Sequence, residues 1–170
     1  MSAMTDLSKM ANTIFPDPKR GPFRVGVIAF DRAGNCLALL RSDSQKNFPR
    51  TWGTPGGKIK PGETPTQAVI REFREETDGD LISLTPIFCE EQNKLKFLTY
   101  LGLCAGQFTP VLNEEHISFR WQPFSDWPKP ASPGMQSIVD HEQLPEIIRQ
   151  YDETNISGPV TKPSPENNRP

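Results

Sequence analysis

The chain has 170 residues, of which 35% are hydrophobic and 24% charged, with a formal net charge of −2. That size and balance describe one soluble domain with a real core, and they supply no footprint for nonspecific binding to nucleic acid or to a membrane surface. The three cysteines, Cys36, Cys89 and Cys104, are scattered and form no CxxC or His/Cys cluster, which argues against structural zinc and suits a reducing, cytoplasmic setting.

Residues 1–20 are polar and mixed, closed by Pro16-Asp17-Pro18, and read as a flexible N-terminal arm. No long apolar run begins the chain, so neither a signal peptide nor a membrane-spanning helix is expected. The folded domain is expected over 21–151. Its first strand is Phe23–Phe30, where Val25, Val27 and Ala29 alternate with Arg24, Gly26 and Ile28. Asp31-Arg32-Ala33-Gly34-Asn35 has the composition of a hairpin turn. Cys36–Arg41 returns as a nearly continuous apolar run suited to burial on both faces. A polar loop follows from Arg41 to Asn47, and Phe48 and Trp52 punctuate the approach to a glycine-rich stretch.

That stretch, Thr54-Pro55-Gly56-Gly57-Lys58, is not a P-loop, because no Gly-Lys-Ser/Thr follows at the required spacing. It leads into a helix expected at roughly 65–77. Thr64 is suited to the N-cap, Pro65 to the first helical position, and Gln67 completes a capping box. Val69, Ile70 and Phe73 share an apolar face. Glu72, Glu75 and Glu76 share an adjacent one, with Arg71 one turn before Glu75. Three acids on one face repel each other. They are either a solvated acidic face beside Arg71 and Arg74 or a site for a hard cation, for which oxygen ligands suit Mg²⁺ or Mn²⁺.

Downstream, residues 81–91 and 94–104 form two strand-like runs around a turn near Gln92-Asn93. Asn113-Glu114-Glu115-His116 leads into another strand candidate over residues 117–121. His116 reads as a surface or capping residue rather than a base. A proline-rich connection reaches Ser132-Pro133-Gly134, which opens a helical stretch striped by Ile138, Leu144, Ile147, Ile148 and Tyr151. Residues 152–170 are rich in Pro, Ser, Asn and Glu and are expected to be a disordered tail.

Residues 57–79 resemble the Nudix box, G-x5-E-x7-R-E-U-x-E-E-x-G-U, with U a bulky apolar residue. Gly57, Glu63, Arg71, Glu72, Phe73, Glu75 and Glu76 fall in register, and Trp52-Gly53-Thr54-Pro55-Gly56 looks like the usual lead-in. At common-residue usage of about 7%, six fixed letters coincide by chance on the order of 10⁻⁷ to 10⁻⁸ per starting point. One departure stands out: the last Gly of the motif falls on Asp78 and its final apolar residue on Gly79. A turn slipped by one residue, with Leu81 as the apolar anchor, is the expected accommodation.

The resemblance implies an α/β/α sandwich around a mixed β-sheet. It also implies a metal-dependent hydrolase that cleaves a phosphoanhydride bond in a nucleoside diphosphate linked to another moiety. By carry-over, Glu72, Glu75 and Glu76 would hold Mg²⁺ (or Mn²⁺), joined by a carbonyl of the glycine pair, Gly57 or Gly56. Relatives often carry an acid before a late strand that contains a Trp, which points to Glu115 (or Glu114) as a further ligand, with Trp121 completing the pattern. Glu72 is the first choice of base and Glu75 the second, with Arg71 positioning them and Glu63 fixing the loop–helix junction. Arg41 and Lys58 are candidate phosphate contacts. Phe48 and Trp52 are candidate stacking surfaces, although Trp52 suits a core position better, since large aromatics are mostly buried.

The Glu115–Trp121 pattern leans toward nucleoside triphosphates or dinucleoside polyphosphates. ADP-ribose and RNA 5′ ends stay open, and neither a membrane partner nor an oligomeric state is indicated. Two rival readings carry over. One is a non-catalytic nucleotide-sensing module, which the presence of all three box glutamates disfavours. The other is an isomerase of prenyl diphosphates, for which no signature cysteine or acid is identifiable.

Overall fold

The computed structural model describes residues 23–92 and 95–155. The expected N-terminal arm at 1–20, the turn expected near Asn93 and the expected tail beyond residue 155 lie outside the described residues. In chain order the elements are β1 (Phe23–Phe30), β2 (Cys36–Arg41), β3 (Trp52–Gly53), β4 (Gly56–Lys58), α1 (Pro65–Thr77), β5 (Leu81–Gln92), β6 (Leu95–Cys104) and β7 (His116–Gln122). One 3₁₀ turn at Phe124–Asp126 then leads to α2 (Pro133–Val139) and α3 (Leu144–Asn155).

The seven strands form one mixed sheet. β1 runs parallel to β6, in register from Phe23↔Lys96 to Phe30↔Leu103, and antiparallel to β4 through Val25↔Gly57. β6 pairs antiparallel with β5 at the edge. β2 pairs antiparallel with β3 and β7. The strands expected as an opening hairpin share a single register pair, Phe30↔Cys36, and then diverge. A buried side chain rather than a ladder closes their corner. Asp31 Oδ1 accepts the Ala33 and Asn35 N–H groups at 2.8 and 2.9 Å, and Gly34 takes a left-handed φ of 85°.

Burial of β1 on both faces gives two cores. Val25, Val27 and Ala29 meet Ala68, Val69 and Phe73 of α1, together with Leu37 and Leu39 of β2. Ile28 and Phe30 meet Met135 and Ile138 of α2 and Leu144 and Ile148 of α3. The sheet between two helical layers is the expected α/β/α sandwich. Each fully buried side chain of this kind contributes about 1.5–3 kcal/mol. The helical stretch expected after Ser132 is two helices, with Ser132 capping α2 and accepting the Met135 N–H. α3 runs to Asn155. Its last turn therefore occupies residues 152–155, which the composition alone assigned to the tail.

Candidate active site

The site is built on α1 and the loop that feeds it. The capping box is present: Thr64 Oγ1 accepts the Gln67 N–H at 3.2 Å, and Gln67 Oε1 accepts the Thr64 N–H at 2.9 Å. At the other end Asp78 takes the left-handed conformation, φ 58° and ψ 23°, and its N–H donates to Arg74 O. The short polar side chain of Asp tolerates that geometry. The expected one-residue slip is therefore corrected: the turn keeps the register of the motif. Gly79 stands where an apolar side chain would be, and the Phe108 ring fills its place, so that a β-carbon on Gly79 would lie within 2.8 Å of Phe108 Cε2.

Arg71 ties the loop to the acids. Its Nε donates to Glu63 Oε1 at 2.6 Å, its Nη2 to Lys58 O at 2.9 Å and to Glu63 Oε2 at 3.0 Å. Its Nη1 donates to Glu72 Oε1 at 2.9 Å and to Glu75 Oε2 at 3.1 Å. Glu63 also accepts the Lys60 N–H, and the Arg71 guanidinium holds its carboxyl down at about 2. Glu63 thus fixes the junction of loop and helix.

The glycine pair lets this loop press against the helix. The Gly56 N–H donates to Glu76 Oε2 at 2.8 Å. A β-carbon on Gly56 would strike β1, 2.7 Å from Gly26 Cα, and one on Gly57 would overlap the Glu72 carboxylate. Glu76 is 1% exposed, and burial pushes its carboxyl well above the usual range, with the Glu72 and Glu115 charges adding to the rise. Burial also raises Glu72, partly offset by Arg71, with Glu75 and Glu115 pushing it further up. The charge of Glu115, on the turn before β7, thus reaches both helix acids, and its carbonyl accepts the Ser42 N–H at 2.8 Å. Glu114 is exposed.

The remaining candidates separate. Glu75 is half-exposed, and its carboxylate is engaged by Arg71 and, at 3.7 Å, by Lys60. Arg41 acts electrostatically on Glu76, but its Nε and Nη2 donate to Asn47 O and Gln45 Oε1, so it also braces the 42–51 loop. Phe48, on that loop, is exposed and left-handed at φ 50°. Lys58 is exposed. The Trp52 side chain packs against the core beside α2 and α3, as its core reading requires. His116 is corrected from surface to interior: it is 6% exposed, burial lowers it to about 4, and its Nδ1 has no hydrogen-bond partner among the described residues.

A hard divalent cation fits this donor set. Glu72 Oε2 and Glu76 Oε1 accept no hydrogen bond among the described residues, while their partner oxygens are bonded to Arg71 and Gly56. The neighbouring negative charge on Glu72 and Glu76 is what a cation would relieve. The lack of a side chain on Gly57 leaves the Glu72 carboxylate its place against the loop backbone. Among the described residues, no three acid, histidine or cysteine side chains are drawn together closely enough to hold an ion as they stand. That accords with the hold of Arg71 and Lys60 on Glu75.

The chain matches the NUDIX domain over residues 22–141. It belongs to the Nudix family. A Caenorhabditis elegans protein provisionally named nudix hydrolase 1 is 24% identical over 102 residues, 59% of this chain. The match spans only 28% of that relative's length. An isopentenyl-diphosphate Delta-isomerase of Salmonella heidelberg is 29% identical over 139 residues, covering 72% of this chain and 77% of the relative. Among solved structures, a MutT Nudix hydrolase from Burkholderia pseudomallei superposes with a TM-score of 0.57 at 22% identity, covering 69% of this chain and 95% of that one. A C. elegans Ap4A hydrolase in a binary complex gives 0.55 at 23%, covering 76% and 95%. The Nudix domain of Shewanella oneidensis NrtR with ADP ribose gives 0.59 at 19%, covering 78% and 94%. These likenesses carry the Nudix fold. Among the described residues no helix is long and apolar enough to cross a membrane.

Phe108 is the residue that sequence reasoning missed. A glycine at the apolar position of the motif signals that some bulky group must fill the gap. Nothing local identifies a partner 29 residues away.

Proposed function

We propose that this Nudix protein is a metal-dependent hydrolase of phosphoanhydride bonds in nucleoside diphosphate derivatives. The observation that carries the reading is the packing of Glu72 and Glu76 against the Gly56-Gly57 backbone, each with an unengaged carboxylate oxygen, under the added charge of Glu115. Glu72, Glu76 and Glu115 would hold Mg²⁺ or Mn²⁺, with Glu75 and a Gly57 or Gly56 carbonyl as further ligands. When bound, the cation neutralises phosphate charge and polarises a phosphoryl oxygen.

The residues of the chain do the rest. Water attacks phosphorus, the phosphorus–oxygen bond to the leaving phosphate breaks, and the water's proton passes to a carboxylate. Glu72, set beside the Gly57 backbone and held by Arg71 through one oxygen only, is the first candidate for that role. Glu75, steered by Arg71, is the second candidate. Arg41 and Lys58 supply positive charge for substrate phosphates, and exposed Phe48 offers a face for a planar ring, while Trp52 is committed to the core. The Ap4A and ADP ribose named for the structural neighbours support a nucleotide derivative as substrate.

The match to an isopentenyl-diphosphate isomerase supports a second reading, in which the same acids bind a prenyl diphosphate. Cys36 and Cys104 would not serve such proton transfers: burial pushes both thiols up to about 12. One panel separates the readings. Nucleoside triphosphates, diadenosine polyphosphates, ADP-ribose, triphosphorylated RNA and a prenyl diphosphate are incubated with Mg²⁺, Mn²⁺ or chelator. Cation-dependent release of phosphate or nucleotide, abolished in Glu76→Gln, is expected. Binding without cleavage would move the protein to the sensing class, and turnover of the prenyl diphosphate alone would make it an isomerase.

A further inference from the structure

Glu115 does not belong to the helix whose acids feel its charge, and something must hold it in place. The segment 105–115 between β6 and β7 is fastened at three points. At the first, Phe108 packs edge-on against Phe73 and Trp121, with ring centroids 6.2 and 5.6 Å away. Its carbonyl accepts the Trp121 Nε1–H at 3.0 Å. At the second, the Val111 N–H donates to Thr77 O, in the last turn of α1, at 2.9 Å. At the third, Glu115 lies between Asn113 Oδ1, which accepts its N–H at 3.1 Å, and Ser42, whose N–H donates to its carbonyl.

The first fastening depends on Gly79. Any side chain there would occupy the space of the Phe108 ring. The box departure and the aromatic are therefore one device: the helix exit gives up its own apolar side chain and receives one from the segment that ends in Glu115. We propose that Phe108, seated on Gly79, is a positioning residue that holds the 105–115 segment, and with it Glu115, against the exit of α1. This rests on the reading of Glu115 as a cation ligand.

The test is a double-mutant cycle read by Mn²⁺ affinity, measured from the paramagnetic resonance signal of free Mn²⁺ without substrate. Wild type, Phe108→Ala, Glu115→Gln and the double variant are compared. Phe108→Ala is expected to weaken Mn²⁺ binding by about tenfold, as loss of an outer support to a ligand does. In the Glu115→Gln background the same change should add nothing, because a residue acting through Glu115 has nothing left to position. Wild-type affinity in Phe108→Ala, or an undiminished effect in the double variant, would overturn the proposal while leaving Glu115 as a ligand. Wild-type affinity in Glu115→Gln would remove the ligand reading and the proposal with it.

Two further variants guard against simple unfolding. Phe108→Leu keeps part of the apolar fill and should bind Mn²⁺ more tightly than Phe108→Ala; equal weakening in the two would count against the proposal. Gly79→Ala leaves Phe108 in place but pushes its ring outward, and should weaken Mn²⁺ as Phe108→Ala does; tight binding there would count against the proposal.

Discussion

At the scale of single residues the site is a set of conflicts. Glu76 is nearly inaccessible, yet one N–H, from Gly56, is its hydrogen-bond donor. Its carboxyl is held well above the usual 4.5 by burial first and neighbouring charge second. A carboxylate raised in the folded state favours folding at low pH, and that contribution is lost as pH rises from about 4.5 through the folded value. Glu76→Gln keeps the acceptor for Gly56 and removes the buried charge. In chelator at pH 8 it should therefore be more stable than wild type, by on the order of 1–3 kcal/mol, while turnover falls at least about a hundredfold. The gain should shrink toward pH 5. Thermal melts at the two pH values check this, and a variant less stable at both would mean that the carboxylate is not strained. Arg71 shows the opposite case. Its planar fork reaches Glu63, Glu72, Glu75 and the Lys58 carbonyl together, which a single ammonium cannot do. Arg71→Lys should cost about 1.5–3 kcal/mol, the range for a hydrogen bond to a charged group. Glu63, lowered to about 2 by Arg71, lends stability above about pH 4.5 that is lost as pH falls toward 2. Denaturant titrations between these limits should show a shallower acid limb in Arg71→Lys, and an unchanged limb would detach Glu63 from its partner.

At the scale of elements, what could be read from the residues was whatever is encoded locally. α1 was legible because its start is chemical: Thr64, Pro65 and Gln67 satisfy the orphan N–H groups of a first turn. Thr64→Ala should accordingly cost about 1 kcal/mol, with activity per folded molecule retained. A calorimetric scan would show the loss, and a null effect would mean that packing alone holds the helix. Strand β1 was legible from its alternation, but its parallel pairing with β6, about seventy residues away, was not, since pairing depends on contacts that no local pattern records. The exit of α1 was misread for a related reason. Asp78 can turn left-handed unaided, but the consequence for Gly79 depends on Phe108. His116 was misplaced because a polar letter at a strand start gives no sign that β2 and the Glu115 turn enclose it. The carboxylates on α1 were readable from spacing alone, whereas Glu115 was reached only through the family resemblance, since no local pattern ties it to α1.

At the scale of the molecule, one sheet serves two cores, and the second has no part in the chemistry. Ile148 of α3 is 1% exposed among Ile28, Phe30, Leu101 and Ile138, on the face of β1 opposite α1. Ile148→Ala removes buried carbon that the surroundings only partly refill, for a loss of about 2–5 kcal/mol. Residues of β1 alternate between the two cores, Ile28 and Phe30 into one, Val27 and Ala29 into the other, so neither layer should melt alone. In urea, the midpoint of Ile148→Ala should fall while the slope stays that of wild type. Tryptophan fluorescence and far-ultraviolet circular dichroism should report a single coincident transition. Activity below the transition should be unchanged, because no atom near Glu72 or Glu76 has moved. An early fluorescence change that leaves turnover intact would instead show α2 and α3 detaching from a sheet that α1 alone keeps folded. The catalytic half would then be the cooperative unit, and the C-terminal helices a cover laid over it.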